Sequence, residues 1–157
     1  MIKFKSNSAN ITVALGECLG SLLEGGEVIE CQSDLGGGKT TLVTGIAKGF
    51  GALDPVSSPS FTICNTYRRD DSKQLQHFDF YRLSEPGIMR NELSEVIGDP
   101  DCVTVVEWGD SVEDILPQDR IKIKIVSVSE NEREISFNIL DDKLSSGLEK
   151  RIEDLKQ

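Results

Sequence analysis

Ser33-Asp-Leu-Gly-Gly-Gly-Lys-Thr-Thr41 is the stretch of this chain best equipped for chemistry. Three successive glycines let a backbone bend until its N–H groups converge on phosphate oxygens. A lysine directly after them can reach the β- and γ-phosphates of ATP, and the next hydroxyl can turn to Mg²⁺. Those roles fall to Lys39 and Thr40, with Gly36, Gly37, Gly38 and Thr41 forming the rest of the cradle. The full pattern reads G-x-x-x-x-G-K-[ST] between a strand and a helix. Ser33 stands where the leading glycine is expected, and it is the one departure.

Phosphoryl transfer with Mg²⁺ also needs a carboxylate at the end of a neighbouring apolar strand. Glu107 closes Val103-Thr-Val-Val and fits that place, to hold the metal or orient a water; its plain alternative is a solvent-facing strand-end acid. Trp108 follows, either packing on a nucleotide or serving as an ordinary core tryptophan. Val56-Ser-Ser-Pro-Ser-Phe-Thr62 is rich in hydroxyls and stiffened by Pro59, suited either to bringing Ser60 to a γ-phosphate or to a simple turn. Asp79 sits among Phe78, Phe80 and Tyr81, where an unpaired charge is costly, so it requires Arg82 or the Mg²⁺ site as partner.

The elements that must hold these residues follow from periodicity. Met1–Ser6 alternates as a short edge strand, and Asn10–Leu23 carries apolar residues at helical spacing behind Ser8 or Asn10 as cap. Glu27–Gln32 reads as the strand before the loop. Lys39–Phe50 reads as the helix after it, ended by Gly49 and Gly51. Phe61–Tyr67 and Gln74–Tyr81 read as strands, Glu85–Ile97 as a helix with Pro86 in its first turn, and Cys102–Glu107 as a strand covered on both faces. Ile121/Ile123/Ile125 and Ile135/Phe137/Ile139 alternate with polar residues, a hairpin with one wet face. Asp141–Gln157 reads as a polar helix free to fray. The expectation is one α/β domain over residues 1–157 with a C-terminal antiparallel hairpin.

Composition narrows the class. A chain of 157 residues buries roughly 68–70% of its unfolded surface, enough for a core without staples. Its 27 acidic and 17 basic residues give a net charge of −10, which argues against tight unassisted binding to a nucleic acid backbone. Nine acids and one base crowd into Asn91–Arg120, a solvated face by default, or else a dock for a basic partner or a cation. The four scattered cysteines read as free thiols of a reducing cytoplasm, and no apolar run approaches the ~20 residues of a membrane span.

Asp34-Leu-Gly-Gly-Gly-Lys-Thr-Thr41, Ser58-Pro-Ser-Phe-Thr62, His77-Phe-Asp-Phe-Tyr-Arg-Leu83 and Val106-Glu-Trp108, in that order and spacing, resemble the small bacterial TsaE-type ATPases needed to make threonylcarbamoyladenosine in tRNA. The resemblance implies an α/β, three-layer P-loop NTPase-like fold with a mixed sheet and flanking helices, and ATP hydrolysis with Mg²⁺ held by Thr40 and Glu107. It also implies a nucleotide contact from Thr12, a functional aspartate at Asp79 and a switch-like hydroxyl at Ser60. It implies two partners, the threonylcarbamoyl transferase subunit and its actin-like dimerisation partner, with tRNA met only through them. Competing readings are a small-molecule P-loop kinase, for which only Arg68, Arg69, Arg82 and Arg90 stand as lid candidates, and an ATP-binding adaptor without turnover. A GTPase is disfavoured because no Asn-Lys-x-Asp segment occurs.

Overall fold

The computed structural model describes residues 1–83 and 85–156. In chain order the elements are β1 (Ile2–Ser6), α1 (Ala9–Gly20), β2 (Val28–Gln32), α2 (Lys39–Phe50), β3 (Cys64–Arg68), β4 (Gln74–Asp79), α3 (Gly87–Val96), β5 (Cys102–Glu107), a 3-10 helix over Gly109–Ile115, β6 (Ile121–Ser127), β7 (Arg133–Asn138) and α4 (Asp142–Leu155). The strands form a seven-stranded sheet in the order β1-β7-β6-β2-β5-β4-β3. Its middle is parallel, β6 with β2, β2 with β5 and β5 with β4, while antiparallel pairs finish both edges.

Every residue of β5 is buried, as the unbroken apolar run requires of a strand packed on both faces. One face of the sheet meets α1, α2 and α4 through Ile29, Cys31, Val103, Val105 and Ile123. The other meets α3 and the 3-10 helix through Val28, Phe78, Phe80 and Val106. Alternation along β2 and β5 therefore sends neighbouring residues to different cores.

Helices α1 and α2 touch backbone to backbone. A Cβ on Gly20 would lie 2.0 Å from the Ile46 carbonyl oxygen, and one on Gly45 would lie 2.0 Å from that of Val13. Gly49, expected to end α2, instead lies within it against Glu17, and Gly51 makes the left-handed stop at φ 91°.

Several elements differ from the expectation, α1 stopping at Gly20 rather than Leu23 and β4 at Asp79 rather than Tyr81. The strand foreseen at Phe61 begins only at Cys64, because Ile63 is held left-handed at φ 68° and its N–H donates to the Pro59 carbonyl at 2.7 Å. Pro86 caps α3 from outside rather than standing in its first turn. The C-terminal helix is docked rather than frayed: Asp141 caps it by accepting from Leu144 N at 2.7 Å, and Leu148 and Ile152 are buried against the core. Each such side chain contributes about 1.5–3 kcal/mol, which suffices to hold a short polar helix down. Gln157, the last residue of the expected helix, lies outside the described residues.

Candidate functional site

The site is built where three parallel strands end. In the register, Glu107 of β5 lies between Cys31 of β2 and Asp79 of β4. One residue beyond Cys31, β2 stops at Gln32 and the chain enters the glycine loop. Gly36 and Gly38 take left-handed φ values of 73° and 102°, and Gly37 N donates to the Asp34 carbonyl at 2.9 Å. The loop thus delivers α2 with its N-terminus, where N–H groups lack intrahelical partners and the dipole is positive, beside Glu107.

Lys39 is buried, and its Nζ donates to the Ser33 hydroxyl at 3.1 Å, the Asp34 carbonyl at 3.2 Å and the Ser33 carbonyl at 3.4 Å. The Trp108 ring lies 5.1 Å from the same ammonium, close enough for a cation–π contact. Trp108 itself is left-handed at φ 55° and packs on Tyr81 at 4.9 Å between ring centroids. It is half-buried, facing Lys39 while packing on the edge of the core that holds Phe80 and Val106.

Glu107 is 3% exposed, so the solvent-facing alternative is excluded. Its Oε1 pairs with Nε2 of the fully buried His77 at 2.8 Å. A carboxylate only accepts, so against an ionised Glu107 the ring carries its proton on Nε2. His77 Nδ1 then has no partner, one of two such buried side-chain atoms among the described residues. The Cys31 thiol, on the β2 side of Glu107, is pushed up by burial first and by the Glu107 charge second.

Among the described residues Asp79 does not pair with Arg82. Its Oδ1 accepts from Tyr81 N at 2.9 Å and its Oδ2 from the Ser60 hydroxyl at 3.5 Å. Arg82 lies instead over the Phe61 ring at 4.8 Å. Ser60 is further tied to Ser58 by a 2.7 Å hydroxyl pair, so the Pro59 loop is joined to the end of β4.

On the other side of the loop, a cleft of ≈ 100 Å³ is lined by Thr12, Gly38, Thr41, Asn131 and Arg133. The Thr12 hydroxyl is 2.7 Å from that of Ser6, which fixes its rotamer at the cleft wall. Arg133 Nε donates to the Gly37 carbonyl at 3.1 Å, bracing the glycine loop from the hairpin.

The structure therefore brings Lys39, Glu107, Asp79, Ser60 and Trp108 to one end of the sheet and sets Thr12 and Thr41 at the adjoining cleft. His77 and Arg133 were not foreseen. The first carried a signal, since His77 and Asp79 are two apart on one strand and share a face. The second carried none, because nothing local relates β7 to the loop. Magnesium takes hard oxygen ligands and keeps several from water and substrate phosphates. Thr40, Glu107 and Asp79 offer such oxygens, and His77 occupies only one oxygen of Glu107. No group of three or more His, Cys, Asp or Glu among the described residues would cage a metal unaided.

A mixed α/β sheet with a glycine loop between its central strand and a buried-lysine helix defines the class. A family model described as threonylcarbamoyl adenosine biosynthesis protein TsaE matches residues 6–135. A Bacillus subtilis protein named tRNA threonylcarbamoyladenosine biosynthesis protein TsaE is 34% identical over 141 residues, covering 87% of this chain and 84% of the relative. A Streptomyces coelicolor protein of the same name is 37% identical over 112 residues, 71% of this chain and 76% of its own. The crystal structure of Bacillus subtilis YdiB superposes with a TM-score of 0.75 at 29% identity, covering 98% of this chain and 95% of that one. The chain belongs to the TsaE family.

Proposed function

We propose that this chain binds Mg·ATP in the Ser33–Thr41 loop and hydrolyses it in support of threonylcarbamoyladenosine formation in tRNA. It acts on a partner complex of the transferase subunit and its actin-like dimerisation partner, and not on tRNA itself. The relatives' shared name supports the pathway. The observation that carries the chemistry is the convergence at Glu107, set by register beside both the glycine loop and Asp79.

In this reading the Lys39 ammonium moves from loop oxygens to the β- and γ-phosphates, and the loop N–H groups receive the remaining oxygens. Thr40 and Glu107 would hold Mg²⁺, which when bound neutralises charge on the phosphates. His77 fixes one oxygen of Glu107 so that the other is presented without rotation. Asp79, linked to Ser60, ties the Pro59 loop to the reacting end, so a shift of Ser60 toward the γ-phosphate is felt at β4. Thr12, Thr41 and the Asn131–Arg133 turn bound the cleft where the nucleoside lies. The fold is then a P-loop NTPase domain taking in residues 1–157 and working in the cytoplasm. Among the described residues no helix is long and apolar enough to cross a membrane. A net charge of −10 suits a protein that meets tRNA only through partners.

The test is reconstitution of the tRNA modification with the purified transferase and its dimerisation partner, with and without this chain. Sustained turnover that needs the chain and hydrolysable ATP is the expected result. Equal turnover without the chain overturns the proposal. ATP hydrolysis that is weak alone and rises with the partners separates it from a non-hydrolysing adaptor.

A further inference from the structure

Ser33 is the residue the phosphate-loop pattern does not account for, and its surroundings assign it work. Its hydroxyl donates to the Asp34 carbonyl at 2.8 Å and accepts from Lys39 Nζ at 3.1 Å. With the Ser33 and Asp34 carbonyls, it completes a set of three loop oxygens for an ammonium that has three donors. An incoming phosphate must compete with all three. The same hydroxyl occupies the space a side chain at position 37 would need. A Cβ on Gly37 would stand 2.2 Å from Ser33 Oγ and 2.9 Å from Ser33 Cβ, with the Asp34 carbonyl also at 2.9 Å. Gly37 has no left-handed φ, so conformation does not demand glycine there, and the Ser33 side chain makes the closest approach.

We propose that Ser33 is a positioning residue: its hydroxyl holds the Lys39 ammonium within the loop, against the pull of phosphate, and Gly37 is its obligatory steric partner. The pair replaces the usual leading glycine by a serine that fills the loop and a glycine that makes room for it. Ser33 thereby sets how tightly Mg·ATP is held, because every hydrogen bond Lys39 keeps with the loop is one that phosphate must replace. This deepens the nucleotide reading of the loop and rests on it.

The experiment is isothermal titration of Mg·ATP into the full chain and into S33A, S33G, G37A and S33G/G37A, each checked for folding by circular dichroism. S33A removes one acceptor from Lys39 and is expected to bind about threefold more tightly than the unmodified chain. G37A is expected to bind about tenfold more weakly or worse, and S33G/G37A to recover part of that loss while the Asp34 carbonyl still crowds the new side chain, a coupling that independent sites do not show. Binding by S33A that is unchanged or weaker overturns the proposal, as does a double variant as impaired as G37A. If G37A fails to fold, a folded and binding double variant supports the steric pairing, and an unfolded one overturns it. Absence of binding by the unmodified chain instead defeats the nucleotide reading and this inference with it. Binding with purely additive effects defeats this inference alone.

Discussion

Two clusters of buried charge lie on opposite faces of the same sheet, and they are finished to different degrees. On the face toward the 3-10 helix, Arg120 donates to Glu30 at 2.7 Å, to both oxygens of Glu113 at 2.6 and 2.8 Å and to the Pro117 carbonyl at 2.9 Å. Each guanidinium nitrogen has a protein acceptor. On the face toward α2, among the described residues, the Glu107 carboxylate hydrogen-bonds to His77 alone, His77 Nδ1 has no partner, and the Lys39 ammonium donates only to oxygens of its own loop. Arg120 and Glu30 are as buried as Lys39 and Glu107, and the exposed Glu113 closes the first cluster from the rim. The difference is that one cluster spends its hydrogen-bonding capacity on the fold and the other keeps capacity in reserve. Desolvated charge with capacity in reserve marks a binding site more sharply than charge or burial does alone.

The contrast can be broken by substitution. Glu30→Ala leaves the Arg120 guanidinium short of its most buried partner, and unfolding in urea is expected to show a loss of about 3–5 kcal/mol with nucleotide affinity retained. A marginal loss there would mean that this cluster too is unfinished. Glu107→Ala is expected to cut ATP hydrolysis in the partner-stimulated assay by about 100-fold or more while titration calorimetry still registers nucleotide binding. Unchanged hydrolysis would take Glu107 out of the chemistry. Lys39→Ala is expected to weaken Mg·ATP binding by about 30- to 100-fold, an effect visible by calorimetry, and to move the thermal midpoint measured without nucleotide by only a few degrees.

The smallest effect belongs to a charge pair at the surface. The hydrogen bond from Arg69 holds the Asp71 carboxyl down to about 2. A folded pKa below the unfolded value stabilises the protein above about pH 4 and loses that contribution as pH falls toward 2. Asp71 is exposed and solvent screens the pair, so Asp71→Asn should leave neutral-pH stability nearly unchanged and slightly flatten only the acid limb of a pH-dependent melt.

Much of the architecture was legible because its cause is local. Gly-Lys after a short strand set the start of α2 at Lys39, and the continuous apolar run of β5 announced a strand covered on both sides. The candidate site was legible as residue types, since a lysine behind glycines and an acid at a strand end suggest their chemistry by themselves. What could not be read depends on partners distant in the chain. The bond between His77 and Glu107 exists only through the β4–β5 register, and Arg133 reaches Gly37 from 96 residues away. Ile63 departs from its pattern for another reason: a β-branched residue is the last expected at a positive φ, and it delays the strand by three residues, to Cys64. The C-terminal helix was underrated because its polar face dominates the composition while two buried side chains, Leu148 and Ile152, anchor it.

The backbone-to-backbone seam between α1 and α2 has a mechanical meaning. Side chains between two helices act as a compressible gasket, absorbing small displacements by changing rotamer. Here, at Gly16, Gly20, Gly45 and Gly49, that gasket has been left out. The two rods are clamped metal to metal, and Thr12 on one and Thr41 on the other are the two jaws of a vice whose gap is set by the rods themselves. A push on the start of α2 is therefore delivered to α1 without slack, and the distance between the jaws stays true while the pair moves.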